Sequence, residues 1–362
     1  MYRSPDVLRD LTVTETVSIR QAIEAMDEHH LGVVLVVNDS GVLTGILTDG
    51  DLRRAILSNT RLDGAVSSVM MREPTALSEN EATENTVLAL LEDRGLRHLP
   101  IVDNEGKPTD LIAWNDLESA KLRETVATYR NLDCDVVIMA GGKGSRLDPF
   151  TRILPKPLVP IGDKPVLEVI MDDFRPYGVD HFYVSVNHMR KMIRVYLESV
   201  DLDSQVELVE EDKPLGTAGA LQFIKGRVTK PFFVVNCDVL IRADYADIYD
   251  HHVSNGHKLT VVGSLKNHTV PYGVCEMNAD GSLAKISEKP RYDFIVNTGM
   301  YVLSPEVLEL IPPDREFHMT HLIEAVLEQG GSVGVFPIGE KAWLDTGQWE
   351  EYRRALKLLG KV

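Results

Sequence analysis

A short string, Gly141-Gly142-Lys143-Gly144-Ser145-Arg146-Leu147, follows directly on an apolar run over residues 135–140, with Pro149, Thr151 and Lys156-Pro157 just beyond it. Glycines let backbone N–H groups approach phosphate oxygens, and Lys143, Arg146 and Lys156 bring positive charge to the same place. The chemistry favoured is the cradling of a polyphosphate at the end of a buried strand, where open α/β sheets bind ligands. The spacing is not that of a Walker A loop, which needs four residues between its first Gly and Gly-Lys-Ser/Thr. Nor is it a dinucleotide fingerprint, because no third Gly stands at the required place.

The whole string through Lys156-Pro157 resembles the signature of the sugar-1-phosphate nucleotidyltransferases, and further motifs follow in that family's order over residues 134–362. Glu211-Asp212-Lys213-Pro214-Leu215-Gly216-Thr217-Ala218-Gly219 resembles the base-binding loop. Val235-Asn236-Cys237-Asp238 resembles the strand-end metal aspartate, with Cys237 in place of the commoner Gly. Tyr272-Gly273, Glu288-Lys289-Pro290 and Asn297-Thr298-Gly299 resemble the sugar-pocket motifs. Trp343-Leu344-Asp345-Thr346-Gly347 resembles the segment with the second metal aspartate.

The resemblance implies an enzyme that transfers a nucleoside monophosphate from an NTP to a sugar 1-phosphate and releases pyrophosphate. Ala140, Gly141, Gly142, Gly144, Ser145, Glu211, Gly216 and Thr217 would bind the nucleotide; Tyr272, Gly273, Glu288, Lys289, Asn297 and Thr298 would bind the sugar. Asp238 and Asp345 would hold Mg²⁺, with a helix N-cap as the alternative for each. Lys156 would neutralise charge at the α-phosphate, Arg146 at the departing pyrophosphate and Lys289 at the sugar phosphate. A phosphate monoester, with a second pKa of about 6, already carries the attacking anion at neutral pH, so no strong general base is needed.

Glu211 bears on the base. A carboxylate only accepts hydrogen bonds, and guanine offers adjacent N1–H and N2–H₂ donors where uracil and thymine offer one N–H between two carbonyls. GTP is the expected donor if Glu211 meets the base; if it faces solvent, backbone groups choose. The loop Pro214 to Gly219 is most similar to the guanylyltransferase form, and its fusion to the N-terminal module described next resembles glucosamine-1-phosphate guanylyltransferases of nonulosonic-acid synthesis, an assignment to surface-glycan or lipopolysaccharide synthesis. A uridylyl- or thymidylyltransferase acting on a hexose 1-phosphate, and a regulator that binds nucleotide sugars without turnover, stay open. A glycosyltransferase on a similar sheet would not need Arg146 and Lys156 after a Gly-rich loop.

These residues need elements to position them. After residue 134, apolar strand-like runs alternate with helical stretches, which predicts a mainly parallel sheet with helices on both faces. Before it, an offset of 65 residues lays Val-Val-Asn-Asp-Ser-Gly (36–41) over Ile-Val-Asp-Asn-Glu-Gly (101–106) and pairs Asp51 with Asp116. Each copy reads as helix, strand, Gly turn and strand, and resembles one half of a CBS pair. In that family a Thr-x-x-Asp pair, here Thr48 and Asp51, meets the ribose of an adenine nucleotide; the alternative is an N-cap on the following helix. The second copy keeps Asp116 but has Ala113 where Thr48 sits, so one nucleotide site per chain is expected. The fold class is therefore α/β, a Rossmann-like mixed sheet preceded by an α+β CBS pair, with domains at 1–125 and 126–362. A connecting helix is predicted over residues 120–133.

Composition sets the limits. With 362 residues, 44% of them hydrophobic, the chain exceeds one ordinary domain and can build two cores. A net charge of −17 argues against nucleic-acid and anionic-membrane partners, which are bound by neutralising phosphate. Residues 1–125 hold 12 Lys+Arg against 22 Asp+Glu, and the remainder 26 against 33, so the first part is the more acidic. Three scattered cysteines suit a reducing cytoplasm, no run reaches the ~18 apolar residues of a membrane span, and a homo-oligomer is expected. His251 and His252, adjacent in a helical stretch, point in different directions, and neither they nor His318 with His321 is read as a zinc site.

Overall fold

The computed structural model describes residues 5–29, 31–58, 60–93, 96–113 and 130–358. The chain divides into two compact units, Met1–Thr128 and Tyr129–Val362.

The first unit contains helices α1 (Pro5–Asp10), α2 (Ile19–His29), α3 (Asp49–Leu57) and α4 (Glu84–Asp93). Its strands are β1 (Thr12–Thr14), β2 (Val33–Val37), β3 (Leu43–Thr48), β4 (Met71–Arg72), β5 (Leu77–Ser78), β6 (His98–Val102) and β7 (Pro108–Ala113). They form two sheets, β1-β2-β3-β4 and β5-β6-β7. The repeat seen in sequence reappears as geometry: α2 and α4, β2 and β6, and β3 and β7 each start 65 residues apart. Each hairpin has its bulge at the same point, Val36/Val37 and Ile101/Val102. Each turn is closed by one short polar side chain. Asn38 Oδ1 accepts from the N–H groups of Ser40 and Val42, and Asp103 Oδ1 from those of Glu105 and Lys107. Gly41 and Gly106 complete these turns at φ 79° and 78°, a region that glycine enters without steric cost. Trp114, Asn115 and Asp116, with most of the connecting helix predicted over residues 120–133, lie outside the described residues; residues 130–133 are irregular.

In the second unit a seven-stranded sheet has the order β12-β11-β8-β13-β18-β15-β19. The strands, in chain order, are β8 (Val136–Met139), the small pair β9 (Pro160–Ile161) and β10 (Lys164–Pro165), β11 (His181–Val186), β12 (Gln205–Glu210), β13 (Phe232–Asn236), β14 (Val239–Ile241), β15 (Leu259–Thr269), β16 (Val274–Met277), β17 (Leu283–Ser287), β18 (Arg291–Leu303), β19 (Val333–Ile338) and β20 (Trp343–Asp345). Four neighbouring pairs in the large sheet are parallel, and β18 runs antiparallel to both β13 and β15. The sheet is therefore mixed and mainly parallel. Every residue of β8 is buried, with Val136 and Ile138 in the core on one face and Val137 and Met139 in the core on the other. A continuous apolar run is what a parallel strand covered on both faces requires.

Helices α5 (Val166–Phe174), α6 (Arg190–Ser199), α8 (Tyr245–Ser254), α9 (Met319–Glu328) and α10 (Trp349–Leu358) accompany this sheet, with a single helical turn, α7, at Gly216–Gly219. On α5, Val166, Leu167, Ile170, Met171 and Phe174 are buried, the spacing of one amphipathic face. His252, His318 and His321 make structural contacts. His318 and His321 form a reciprocal capping box at the start of α9. On α8, His252 is buried, with Nδ1 2.9 Å from Thr260 Oγ1 and Nε2 3.0 Å from Ser304 Oγ, which ties the helix to β15 and to the end of β18.

That histidine makes stability depend on pH. Burial, reinforced by the neighbouring His257, pushes the His252 imidazole down from 6.5 to about 4. Between those values the unfolded chain binds a proton that the folded chain does not, so stability is full above pH 6.5 and falls as pH drops towards 4. Urea unfolding across this range should show a shallower slope in His252→Gln than in the native chain. Equal slopes would remove His252 as the cause.

Candidate functional site

Strand β8 delivers the glycine-rich loop. Ala140 is buried, and its N–H donates to the Ser185 carbonyl at the end of β11. At Gly141 a Cβ would lie 2.7 Å from Glu211 Oε1, so only glycine lets the loop pass this carboxylate. Gly142 has open space around it. Gly144 has φ 65°, and a Cβ there would lie 2.9 Å from both Lys156 Cβ and Thr151 Cγ2. Thr151 is buried and its hydroxyl donates to the Gly144 carbonyl at 2.9 Å, folding the distal part of the loop back onto its start. Ser145 and Arg146 sit in a 3₁₀ turn that opens at Gly144.

The two candidate metal aspartates come together through a pairing that sequence did not announce. β14, which follows Asp238 directly, pairs antiparallel with β20, and Val239 stands opposite Asp345. The Thr346 N–H and hydroxyl both donate to the Asp238 carbonyl, at 2.8 and 3.0 Å. Asp238 is 5% exposed. Its Oδ2 accepts from Lys156 Nζ in a close ion pair and from Arg146 Nη2 at 3.3 Å; Arg146 Nη1 lies 3.6 Å from Asp345 Oδ2. Two cations and two carboxylates thus form one closed cluster. A Cβ on Gly347 would overlap Asp238 Oδ2 and lie 2.9 Å from Asp345 Oδ1 and 3.1 Å from Lys156 Nζ, so the cluster closes around a glycine. Neither aspartate is an N-cap: Asp238 precedes a strand and Asp345 ends one. Beside them Cys237 is buried, and burial pushes its thiol up to about 12, so it stays an inert thiol.

Glu211, the first residue after β12, is 3% exposed and so does not face solvent. Oε1 accepts from the Ser185 hydroxyl at 2.6 Å, and Oε2 from the Leu215 N–H at 3.0 Å. Both donors are neutral. Gly216 has φ 79°, and a Cβ there would meet the Phe317 carbonyl at 2.7 Å. The Thr217 hydroxyl accepts from the Met319 N–H at 2.9 Å, holding this loop against the start of α9.

The sugar-motif residues are dispersed over the β15–β18 region. Tyr272, just before β16, is 73% exposed, and Glu288 and Lys289, just after β17, are exposed; the Lys289 N–H donates to the Tyr272 carbonyl at 3.2 Å. Lys289 itself has φ 44°. At Gly273 a Cβ would lie 3.1 Å from Glu288 Oε2. Asn297 and Thr298 are committed internally: Asn297 Nδ2 donates to the Tyr301 hydroxyl at 2.7 Å, and the buried Thr298 hydroxyl donates to the Val262 carbonyl at 2.8 Å. They shape the wall next to the end of β13, where a Cβ on Gly299 would press on Asn236 Nδ2.

In the first unit, Thr48 is the N-cap of α3, in a capping box with Asp51. The buried Asp51 carboxylate accepts from the Thr48 N–H at 2.9 Å, the Thr48 hydroxyl at 2.6 Å and Arg54 at 2.5 Å. The capping alternative read from the sequence is thus realised, and the Thr48–Asp51 pair is held rigid by it. Ser185, Gly347 and Trp349 were not singled out by sequence. Gly347 was legible only as part of the Trp343 to Gly347 string, and nothing local marks Ser185 as the partner of Glu211.

A nucleotidyl transferase family model matches residues 135–361, and a CBS domain model matches residues 4–58 and 66–122. The chain is 31% identical over 235 residues to a probable mannose-1-phosphate guanylyltransferase of Oryza sativa subsp. japonica, covering 61% of this chain and 63% of the rice protein. It is 30% identical over 246 residues to a UTP–glucose-1-phosphate uridylyltransferase of Synechocystis sp., covering 61% and 62% of the two chains. The chain thus spans somewhat under two thirds of the length of these relatives. In fold it is similar to a putative glucose-1-phosphate thymidylyltransferase from Bacillus anthracis, with a TM-score of 0.50 and 20% identity over 63% of this chain and 96% of that one.

The cluster's geometry predicts an asymmetry between two glycines. Gly347→Ala should lower stability by about 1–3 kcal/mol through overpacking, whereas Gly142→Ala, with nothing within 4 Å, should stay within about 0.5 kcal/mol. Denaturant midpoints measure both, and equal effects would contradict the packing described.

Proposed function

The chain belongs to the nucleotidyl transferase family, and from that premise we propose that it transfers GMP from GTP to a sugar 1-phosphate, giving a GDP-sugar and pyrophosphate. The observation that carries the reaction class is the convergence of Lys156, Arg146, Asp238 and Asp345 beside the glycine-rich loop. Two anionic reactants must be aligned while their mutual repulsion is neutralised, the usual burden of such transfers. Backbone N–H groups of Gly141 to Ser145 take the triphosphate, while Arg146 and Lys156, on one side of the cluster, neutralise its non-bridging oxygens. The attacking oxygen belongs to the sugar phosphate and is already ionised at neutral pH, so no residue of the chain has to remove a proton.

Asp238 and Asp345 fit a Mg²⁺ ion: the set is all oxygen, and one or two carboxylates completed by substrate phosphates is the usual protein share for this metal. Both carboxylates reach the place that a Cβ on Gly347 would take, which supports the same assignment. When bound there, the ion supplies neutralisation of phosphate charge at the reacting group.

The preference for GTP rests on Glu211. A buried carboxylate is costly unless well paired, and its two hydrogen-bond donors here are neutral. An ionised carboxyl offers about four acceptor positions, so two remain for the N1–H and N2–H₂ edge of guanine. The rice relative's name is a guanylyltransferase and the Synechocystis one's a uridylyltransferase, so family membership alone leaves the base open. In the first unit, Asp51 is the residue proposed to meet a weakly bound adenine nucleotide that modulates the second unit.

The donor assignment is tested by kcat/KM for GTP, UTP, dTTP and CTP in the native chain and in Glu211→Gln, reading pyrophosphate. GTP should lead, and its lead should shrink by roughly 5- to 150-fold in the variant, the worth of a bidentate contact of about 1–3 kcal/mol. A native preference for UTP or dTTP would sink the donor assignment, and an unchanged preference in Glu211→Gln would discard Glu211 as its cause.

A further inference from the structure

The segment that links Arg146 to Lys156 is built from short 3₁₀ turns, Ser145–Leu147, Phe150–Arg152 and Lys156–Leu158, with no strand or α-helix of its own. Its middle lies at the surface, where Phe150 is half exposed and Ile153 largely exposed. Within it the Thr151 hydroxyl reaches the Gly144 carbonyl and Arg152 pairs with Asp148. What braces it from outside is α10. The Trp349 indole N–H donates to the Asp148 carbonyl at 3.2 Å, and the indole packs on Phe150 with ring centroids 5.0 Å apart. One turn along the helix, the Tyr352 hydroxyl donates to the Pro160 carbonyl at 2.5 Å, and the two aromatic rings meet edge to face at 5.9 Å. Asp148 and Pro160 bracket the stretch that contains Lys156, and Asp148 lies two residues beyond Arg146.

The same helix begins four residues after Asp345. That carboxylate accepts from the Gly347 N–H at 3.0 Å and from Gln348 Nε2 at 2.9 Å, so the turn leading into α10 is fixed at its origin. One continuous stretch of chain therefore supplies a carboxylate to the cluster and clamps the loop that supplies both cations.

We propose that Trp349, seconded by Tyr352, is a positioning residue: it fixes the spacing of Arg146 and Lys156 relative to Asp345, and so governs how well the loop binds the triphosphate. The proposal rests on the nucleotidyl-transfer assignment for its functional consequence, but the clamp itself is a property of the chain. Misplacing catalytic groups by about 1 Å can cost 10²-fold in rate, so a clamp remote from the reacting atoms has room to matter. Losing one neutral hydrogen bond of the pair should weaken triphosphate binding by roughly 3- to 10-fold.

The test uses the full chain with Trp349→Phe, which keeps an aromatic ring on Phe150 but loses the N–H, and Tyr352→Phe, which loses only a hydroxyl. Amide hydrogen exchange should accelerate in residues 144–160 and stay unchanged in β8 and β13. KM for the NTP should rise about 3- to 10-fold in each variant, with KM for the sugar 1-phosphate unmoved. Unchanged exchange in residues 144–160 overturns the clamp. Exchange that accelerates throughout the second unit, with both KM values shifting together, overturns the positioning role in favour of plain packing. Should the native chain release no pyrophosphate at all, the assigned reaction fails, and the exchange comparison still decides whether α10 holds the loop.

Discussion

Two carboxylates held close together in a site screened from water repel, and the second unit is organised around meeting that cost. Asp238 and Asp345 are brought within reach of one another by the three-residue pairing of β14 with β20. A partly buried charge is tolerated when it is paired and hydrogen-bonded. Lys156 and Arg146 provide the pairing, and both arrive on the one loop that β8 projects from the middle of the sheet. Gly347 has no side chain because any Cβ there would displace the members of this cluster. In a chain of net charge −17, a local concentration of cations has a specific purpose. Here it balances the protein's own aspartates.

A second buried carboxylate, Glu211, follows a different logic. Among the described residues its carboxylate oxygens accept from the Ser185 hydroxyl and the Leu215 N–H, both neutral, while the Arg190 guanidinium donates to its backbone carbonyl at 3.2 Å. It stands just after β12, against Gly141, where a Cβ would lie 2.7 Å from its Oε1. On the proposed assignment, charge is neutralised within the protein at the phosphate end and left for the base to satisfy at the other. That difference in pairing separates the group that would choose the base from the groups that would run the chemistry.

Much of this was legible in the residues. Apolar runs buried on both faces marked β8, β11 and β13, and the 65-residue repeat returned with its bulges and turn side chains in place. The loop glycines were legible as a phosphate cradle, and two of them, Gly141 and Gly144, also make room for Glu211 and for Lys156 with Thr151. Long-range pairing was not. β14 and β20 are three residues each and about a hundred residues apart, and nothing in Val239–Ile241 names Trp343–Asp345 as its partner. Thr48 and Asp51 show the opposite difficulty: local sequence allowed both a cap and a ligand site, and only the cap can be read from the chain by itself. Trp349 gave no signal either, because its role depends on a carbonyl two hundred residues earlier.

The most direct measurement is the stoichiometry of the reaction itself. Incubating the full chain with Mg²⁺, GTP and a panel of sugar 1-phosphates should release pyrophosphate in equal amount to a GDP-sugar, with no release of inorganic phosphate, and Asp238→Asn should slow this by about 100-fold or more. Binding of GTP and sugar phosphate without pyrophosphate release across the panel would contradict the account, leaving a chain that keeps the family's fold and cluster but does not turn over.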